Sequence, residues 1–303
     1  MNWRREICGV SFKNPLMAAS GTYGFGREFA QFYDIGRLGG ISVKGLTLEP
    51  RNGNPAPRSA ETPAGMINAV GLQNPGIDHF IENDLPWLKQ QNTVIIANIA
   101  GNSVADYVEM ARRLRETDID FIELNISCPN VKSGGIQFGV DPTAIAEVTA
   151  AVKAVCRQPL MVKLSPNVAD IKTNALAAQE AGADALSLIN TLTGMAVDLS
   201  MRRPVLANVT GGLSGSAVKP VALRMVHEVY RTVSIPVIGM GGIMSGRDVL
   251  EFMLCGATAV MVGTANLADP LAMPRILDEL ESEMQVRQID DLDAWVGSLN
   301  AGS

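Results

Sequence analysis

The stretch Phe121 to Asn130, FIELNISCPN, decides how the rest of the chain is read. A short, mostly apolar run leads into Asn125, and three residues later Cys128 stands directly before a proline. The pattern reads as a buried strand that opens into a loop carrying chemistry. Two readings of the thiol stand at this point: a buried small hydrophobe, the common fate of cysteine, or a reactive group on the loop.

Working outward, seven more runs of this kind recur. The eight are Leu16 to Ala19, Ile41 to Val43, Val94 to Ile99, Phe121 to Leu124, Leu160 to Leu164, Ala185 to Ile189, Val237 to Ile238 and Ala259 to Val262. Each is followed by a polar residue or glycine and then by a helical pattern, the signature of repeated βα units. Runs apolar on both faces belong to parallel strands covered by helices. Ser103 with Asp106, and Ser245 with Asp248, resemble capping boxes ahead of apolar stripes. Further helices are expected over Pro142 to Val155, Val168 to Ala181, Ala217 to Val233 and Pro270 to Met284. Eight strands, each with a following helix, predict an α/β fold, a closed (β/α)8 TIM barrel rather than an open doubly wound sheet.

The length of 303 residues is compatible with one barrel domain over 1–303 with insertions, ending in a polar, acidic tail from about residue 285 in which Trp295 is the one large anchor. Three connections are too long for turns: Thr47 to Pro75, Ser127 to Asp141 and Thr191 to Ser216. All follow strands, which puts them on the C-terminal face where barrel enzymes keep their active sites.

Hydrophobic residues make up 47% of the chain and charged residues 18%, a composition for a large compact core. A net charge of -6 without a clustered basic run argues against nucleic-acid binding. Cys8, Cys128, Cys156 and Cys255 lie far apart with no C-x-x-C spacing, so no metal site is expected in this chain and reduced thiols in a cytoplasmic protein are. No segment approaches the roughly 20 apolar residues needed to span a bilayer. His79 and His227 fall in separate helical segments and suggest surface roles.

The strand ends carry Ser20, Lys44, Asn98, Asn125, Lys163, Asn190, then Gly241 with Gly242 and Gly263 with Thr264. Any one alone is a turn or a solvated side chain; eight in phase make a polar ring around one mouth. The glycines after strands seven and eight occupy the place where barrels often bind phosphate through bare backbone N–H groups. GTYGFG at 21 to 26 lacks the dinucleotide-binding spacing. Lys44 and Lys163 would stabilise negative charge on a reduced flavin, and Asn68, Asn125 and Asn190 each offer donor and acceptor to a pyrimidine-like or imide ring.

ASGTYG at 19 to 24, SVKG at 42 to 45, NAVGLQNPG at 68 to 76, NISCPN at 125 to 130, VKLSPN at 162 to 167, NTLTGMAVD at 190 to 198, GGLSG at 211 to 215 and GMGGI at 239 to 243 together resemble the class 1 dihydroorotate dehydrogenases, over nearly the whole chain. MAASGTYG and NTLTGMAVD resemble the B-type catalytic subunit. The resemblance implies FMN held by Ser20, Lys44, Gly45, Asn98, Asn125, Lys163, Ile189, Gly215, Gly241, Gly242, Gly263 and Thr264. It implies dihydroorotate, or the product orotate, held by Lys44, by the turn Asn68, Ala69, Val70, Gly71 and Leu72, and by Asn125, Asn190 and Thr191. Cys128 matches the family's catalytic base, and the loop Val131 to Gly139, with Gly134, Gly135 and Gly139, is a candidate lid.

The B-type passes electrons to NAD through FAD and a [2Fe–2S] cluster. This chain has neither clustered cysteines nor a second nucleotide motif, so the resemblance implies an iron–sulfur flavoprotein partner in a heterotetramer of two plus two. The alternatives are an A-type homodimer using fumarate, a flavin-free phosphate-binding barrel such as an isomerase or aldolase, and a non-catalytic scaffold barrel.

Overall fold

The computed structural model describes residues 2–126 and 139–300. An antiparallel hairpin of β1 (Arg5–Ile7) and β2 (Val10–Phe12) precedes the first two barrel strands, β3 (Leu16–Ala18) and β4 (Gly40–Ser42). The first long connection contains a second hairpin, β5 (Ser59–Thr62) and β6 (Gly65–Asn68). Helix α1 (Ile77–His79), a π-helical turn over Phe80–Asp84 and α2 (Leu85–Leu88) lead into β7 (Val94–Ile99). Alternation then runs through α3 (Val104–Arg115), β8 (Phe121–Asn125), α4 (Pro142–Lys153), β9 (Leu160–Lys163), α5 (Ile171–Glu180) and β10 (Ala185–Leu188). Four short strands follow, β11 (Leu192–Gly194), β12 (Val197–Asp198), β13 (Arg203–Pro204) and β14 (Gly211–Ser214). The chain ends with α6 (Lys219–Tyr230), β15 (Val237–Met240), α7 (Gly246–Leu254), β16 (Ala259–Val262), α8 (Ala265–Ala268), α9 (Ala272–Val286) and α10 (Leu292–Trp295).

Strands β3, β4, β7, β8, β9, β10, β15 and β16 pair in that order, all parallel, and β16 closes back on β3 with Val260 opposite Leu16. This is the expected (β/α)8 barrel, and its strands coincide with the eight apolar runs. The first βα unit departs from the pattern. Between β3 and β4 there are only two 3-10 turns, Phe29–Gln31 and Ile35–Arg37, because Gly21, Gly24 and Gly26 all take positive φ, a backbone that does not propagate an α-helix. The helix expected from Val168 starts at Ile171, where Asp170 accepts a hydrogen bond from the Lys172 amide as its N-cap. The one expected from Ala217 opens with a 3-10 turn over Ser216–Val218, and the one expected from Pro270 starts at Ala272.

Side chains alternate along each barrel strand, so one phase fills the barrel and the other packs on the helices. In β8, Ile122 and Leu124 join the cluster shared with the helices, whereas Phe121 belongs to an inner cluster with Ile96, Met161, Ile238 and Met261. The β1–β2 hairpin closes the barrel floor: Ile7 and Phe12 are fully buried in that inner cluster, with the Phe12 and Phe121 rings 5.8 Å apart.

Over the opposite end, β5 and β6 from the first connection pair with β14 and β11 from the third to make a four-stranded sheet in the order β11-β14-β6-β5. Trp295 anchors the tail, donating its ring N–H to the Leu250 carbonyl at 3.0 Å. Among the described residues no helix is long and apolar enough to cross a membrane.

Candidate active site

The C-terminal ends of the barrel strands, together with the four-stranded sheet, enclose a cavity of about 710 Å³. That is the size range of small-molecule and cofactor sites. Ser20, Lys44, Gly45, Asn125, Lys163, Ile189, Gly215, Gly241, Gly242, Gly263 and Thr264 line it. So do Asn68, Ala69, Val70, Gly71, Leu72, Asn190 and Thr191, which brings the two expected residue sets around one cavity. Asn98 is the exception. It is fully buried one layer below, with its Oδ1 where a Cβ on Gly45 would come within 3.0 Å. Cys128 and loop residues 131–138 lie outside the described residues, while Gly139 lines the cavity. A second depression, bordered by Arg247, Arg275, Asp278, Glu279 and Glu283, is an open surface groove between α7 and α9, away from the mouth.

Side-chain amides shape the walls. The Asn68–Leu72 turn is held by Asn54, whose Nδ2 donates to the Ala69 carbonyl at 2.9 Å, and by Asn74, whose Nδ2 donates to the Leu72 carbonyl at 2.7 Å. Asn74 Oδ1 in turn accepts from the Thr47 and Gly76 amides. Asn167 ties down the segment after β10, donating to the Thr191 carbonyl at 3.0 Å and accepting from the Thr193 amide at 2.9 Å. Close approach explains two glycines: a Cβ on Gly212 would stand 2.1 Å from Thr191 Oγ1, and one on Gly65 would stand 2.0 Å from the Ser214 carbonyl oxygen.

Lys44 and Lys163 supply the positive charge. Burial, reinforced by the nearby cation of Arg58, lowers the Lys44 pKa from its ordinary value. Between its folded value and 10.5 the unfolded chain binds more protons than the folded one, so ligand-free stability should rise with pH across that window. Lys44→Met should abolish that slope and raise ligand-free stability by about 1 kcal/mol while weakening the binding of anions. Thermal unfolding across pH 8 to 10.5 with and without an anionic ligand reads both effects; a variant less stable than the parent would contradict the assignment.

Beneath the lysines lies a carboxylate that the sequence reading passed over. Glu123, fully buried on β8, accepts from Ser42 Oγ of β4 at 2.6 Å, Ser187 Oγ of β10 at 2.7 Å and Asn98 Nδ2 of β7 at 2.6 Å. Burial alone would raise its pKa. The Lys163 charge and the three donors outweigh burial and hold the pKa below the ordinary carboxylate value, so Glu123 is an anion. Its signal in the sequence was its phase: Phe121, Glu123 and Asn125 share one face of the strand.

The three described cysteines are shielded thiols. Burial pushes Cys8 up to about 11, and also raises Cys156 and Cys255. Cys8 Sγ rests 3.2 Å from the Asp184 carbonyl oxygen, near the floor of the barrel.

A parallel eight-stranded barrel with a cavity at its C-terminal mouth, lined by Lys44, Lys163 and several side-chain amides, defines a barrel protein with a polar, cation-bearing pocket there. The family model described as dihydroorotate dehydrogenase matches residues 3–284. A relative from Alkaliphilus metalliredigens, named dihydroorotate dehydrogenase B (NAD(+)), catalytic subunit, is 55% identical over 299 residues, covering 99% of each chain. Proteins of the same name from Geobacter sp. and Bacillus pumilus are 57% and 56% identical, covering 97% and 96% of this chain and 96% and 94% of their own. The chain belongs to the dihydroorotate dehydrogenase family.

Proposed function

We propose that this chain is the catalytic subunit of an NAD-linked dihydroorotate dehydrogenase, oxidising dihydroorotate to orotate in pyrimidine synthesis. The observation that carries this reading is the cavity itself, where the expected substrate and flavin contacts meet over one barrel mouth. Its residues fit FMN. Gly215, Gly241 and Gly242 keep positive φ and leave backbone N–H groups without a Cβ in the way of a phosphate, and Lys163 and Lys44 set positive charge in the same cavity. Bound FMN supplies the hydride acceptor.

The chain's own residues do the rest. The Asn68–Leu72 turn, Asn125, Asn190 and Thr191 present donors and acceptors to the ring amides of dihydroorotate, and Lys44 meets its carboxylate. Cys128, matching the family's base, takes the proton from C5 as the hydride leaves C6, so two electrons and one proton depart together with the second proton held on sulfur. The shielded state of Cys8, Cys156 and Cys255 supports giving that role to Cys128.

Electrons then need an outlet. Among the described residues no cluster of His, Cys, Asp and Glu could hold a metal. A partner protein carrying FAD and a [2Fe–2S] cluster is the reading, in an assembly of two plus two in the cytoplasm. The test is anaerobic mixing of the FMN-loaded chain with dihydroorotate. Rapid bleaching of the flavin is expected; a protein that takes up no FMN would point instead to a flavin-free barrel. Efficient fumarate-dependent turnover by the chain alone would favour the A-type reading and count against the partner.

A further inference from the structure

The buried carboxylate of Glu123 does not line the cavity, yet its contacts lead there. Barrel interiors stack in layers to which alternate strands contribute, and these layers are ordinarily apolar. Here β4, β8 and β10, alternate strands of the barrel, supply Ser42, Glu123 and Ser187 to one polar layer directly under the mouth. An ionised carboxylate has no proton to donate. Asn98 therefore turns its NH2 group down to Glu123 at 2.6 Å and its Oδ1 up. That oxygen accepts from Asn125 Nδ2 at 3.5 Å, and Asn125 Oδ1 accepts from Asn190 Nδ2 at 3.4 Å. Asn190 Oδ1 accepts from the Thr191 amide at 2.8 Å, which carries the relay to the cavity lining. The two amide–amide contacts are long, but each has the sense that the carboxylate dictates. Reversed as a whole, the relay would keep its amide–amide contacts but set the Asn98 oxygen against the Glu123 carboxylate and the Asn190 NH2 against the Thr191 amide.

We propose that Glu123 is a positioning residue for the reaction: its carboxylate sets the direction of the Asn98–Asn125–Asn190 relay, fixing which end of each amide meets the ligand, and supplies a countercharge to Lys163, which stands on the adjacent strand opposite Asn125, two residues along from Glu123. The proposal rests on the functional reading above and extends it to a residue without ligand contact. A core of matching apolar side chains would serve stability as well or better, since buried charge is weak evidence for stability. What the carboxylate adds is direction and charge at the floor of the site.

Two substitutions separate these contributions. In Glu123→Gln the amide oxygen can still accept from Ser42 and Asn98 while its NH2 donates to the Ser187 hydroxyl, so the relay keeps its sense and only the charge is lost. Flavin loaded into this variant should show a midpoint potential shifted positive, because the Lys163 charge is no longer offset, with orotate bound no more weakly than by the parent. An unchanged or negative potential would overturn the countercharge role. Glu123→Met removes acceptor and charge together; orotate affinity should fall about tenfold or more as Asn98 loses its anchor. Orotate affinity equal to that of the parent would overturn the positioning role.

A third measurement needs neither ligand nor variant. A neutron structure of the ligand-free protein in deuterated solvent should place the Asn98 deuterons toward Glu123, and the opposite orientation would overturn the relay. Failure of the unaltered protein to bind FMN or orotate would sink the functional reading while leaving this measurement to judge the relay.

Discussion

Replacing Cys128 by alanine should slow dihydroorotate-dependent flavin bleaching by roughly a hundred- to ten-thousandfold while leaving the bound flavin yellow, the range expected when a general base is removed. Binding and proton removal are assigned to different residues, so the variant should still bind orotate. A free thiol ionises near pH 8.5 and must be a thiolate to accept a proton. The bleaching rate of the parent should therefore rise with pH through the Cys128 pKa and level off above it. The described cysteines cannot mimic this rise: none lines the cavity, and burial raises each of them, Cys8 to about 11. Anaerobic stopped-flow over a pH series reads both effects, and undiminished bleaching in the alanine variant would remove Cys128 from the mechanism.

The second large effect concerns the flavin itself. Gly242→Val should yield folded protein that no longer retains FMN through purification. Gly242 holds φ at +80°, a conformation β-branched residues avoid, and a Cβ there would stand 2.8 Å from Lys219 Cβ and 2.9 Å from the Gly215 carbonyl oxygen. Lys219 cannot yield easily, since its ammonium bridges Asp248 at 2.6 Å and Glu251 at 2.8 Å, pinning the start of α6 to α7. The backbone of the loop after β15 must move instead, and with it the N–H groups assigned to the phosphate. Flavin absorbance per chain measures retention, and circular dichroism checks the fold. A yellow, fully loaded valine variant would move the phosphate site elsewhere.

How much of this was legible in the sequence follows from length scale. The barrel strands were legible because each is a compact apolar run, and the strand-end residues were legible because parallel strands place their C-terminal ends on one face. Glu123 was visible too, since it shares the phase of Phe121 and Asn125, but reading FIEL as one apolar run hid it. The floor hairpin left no such signal: Arg5–Ile7 and Val10–Phe12 have three residues each, and only the barrel they plug reveals their purpose. The sheet over the mouth was invisible for a different reason. SAET, GMIN and GGLS carry no alternating apolar pattern, and the pairing that joins the two excursions, GMIN with GGLS, spans distant parts of the chain.

That last separation also orders events during folding. Asn68 and Gly212, paired across β6 and β14, are 144 positions apart. Closing a loop of that length carries an entropic penalty that a few strand hydrogen bonds do not offset by themselves. The barrel must first bring the two excursions to the same mouth, so the sheet is a late-forming unit. Its strands are mostly half-exposed where the barrel strands are buried, so it is expected to open locally before them. Among the described residues, the same sheet that covers the cavity is therefore expected to exchange its backbone amides before the barrel strands do.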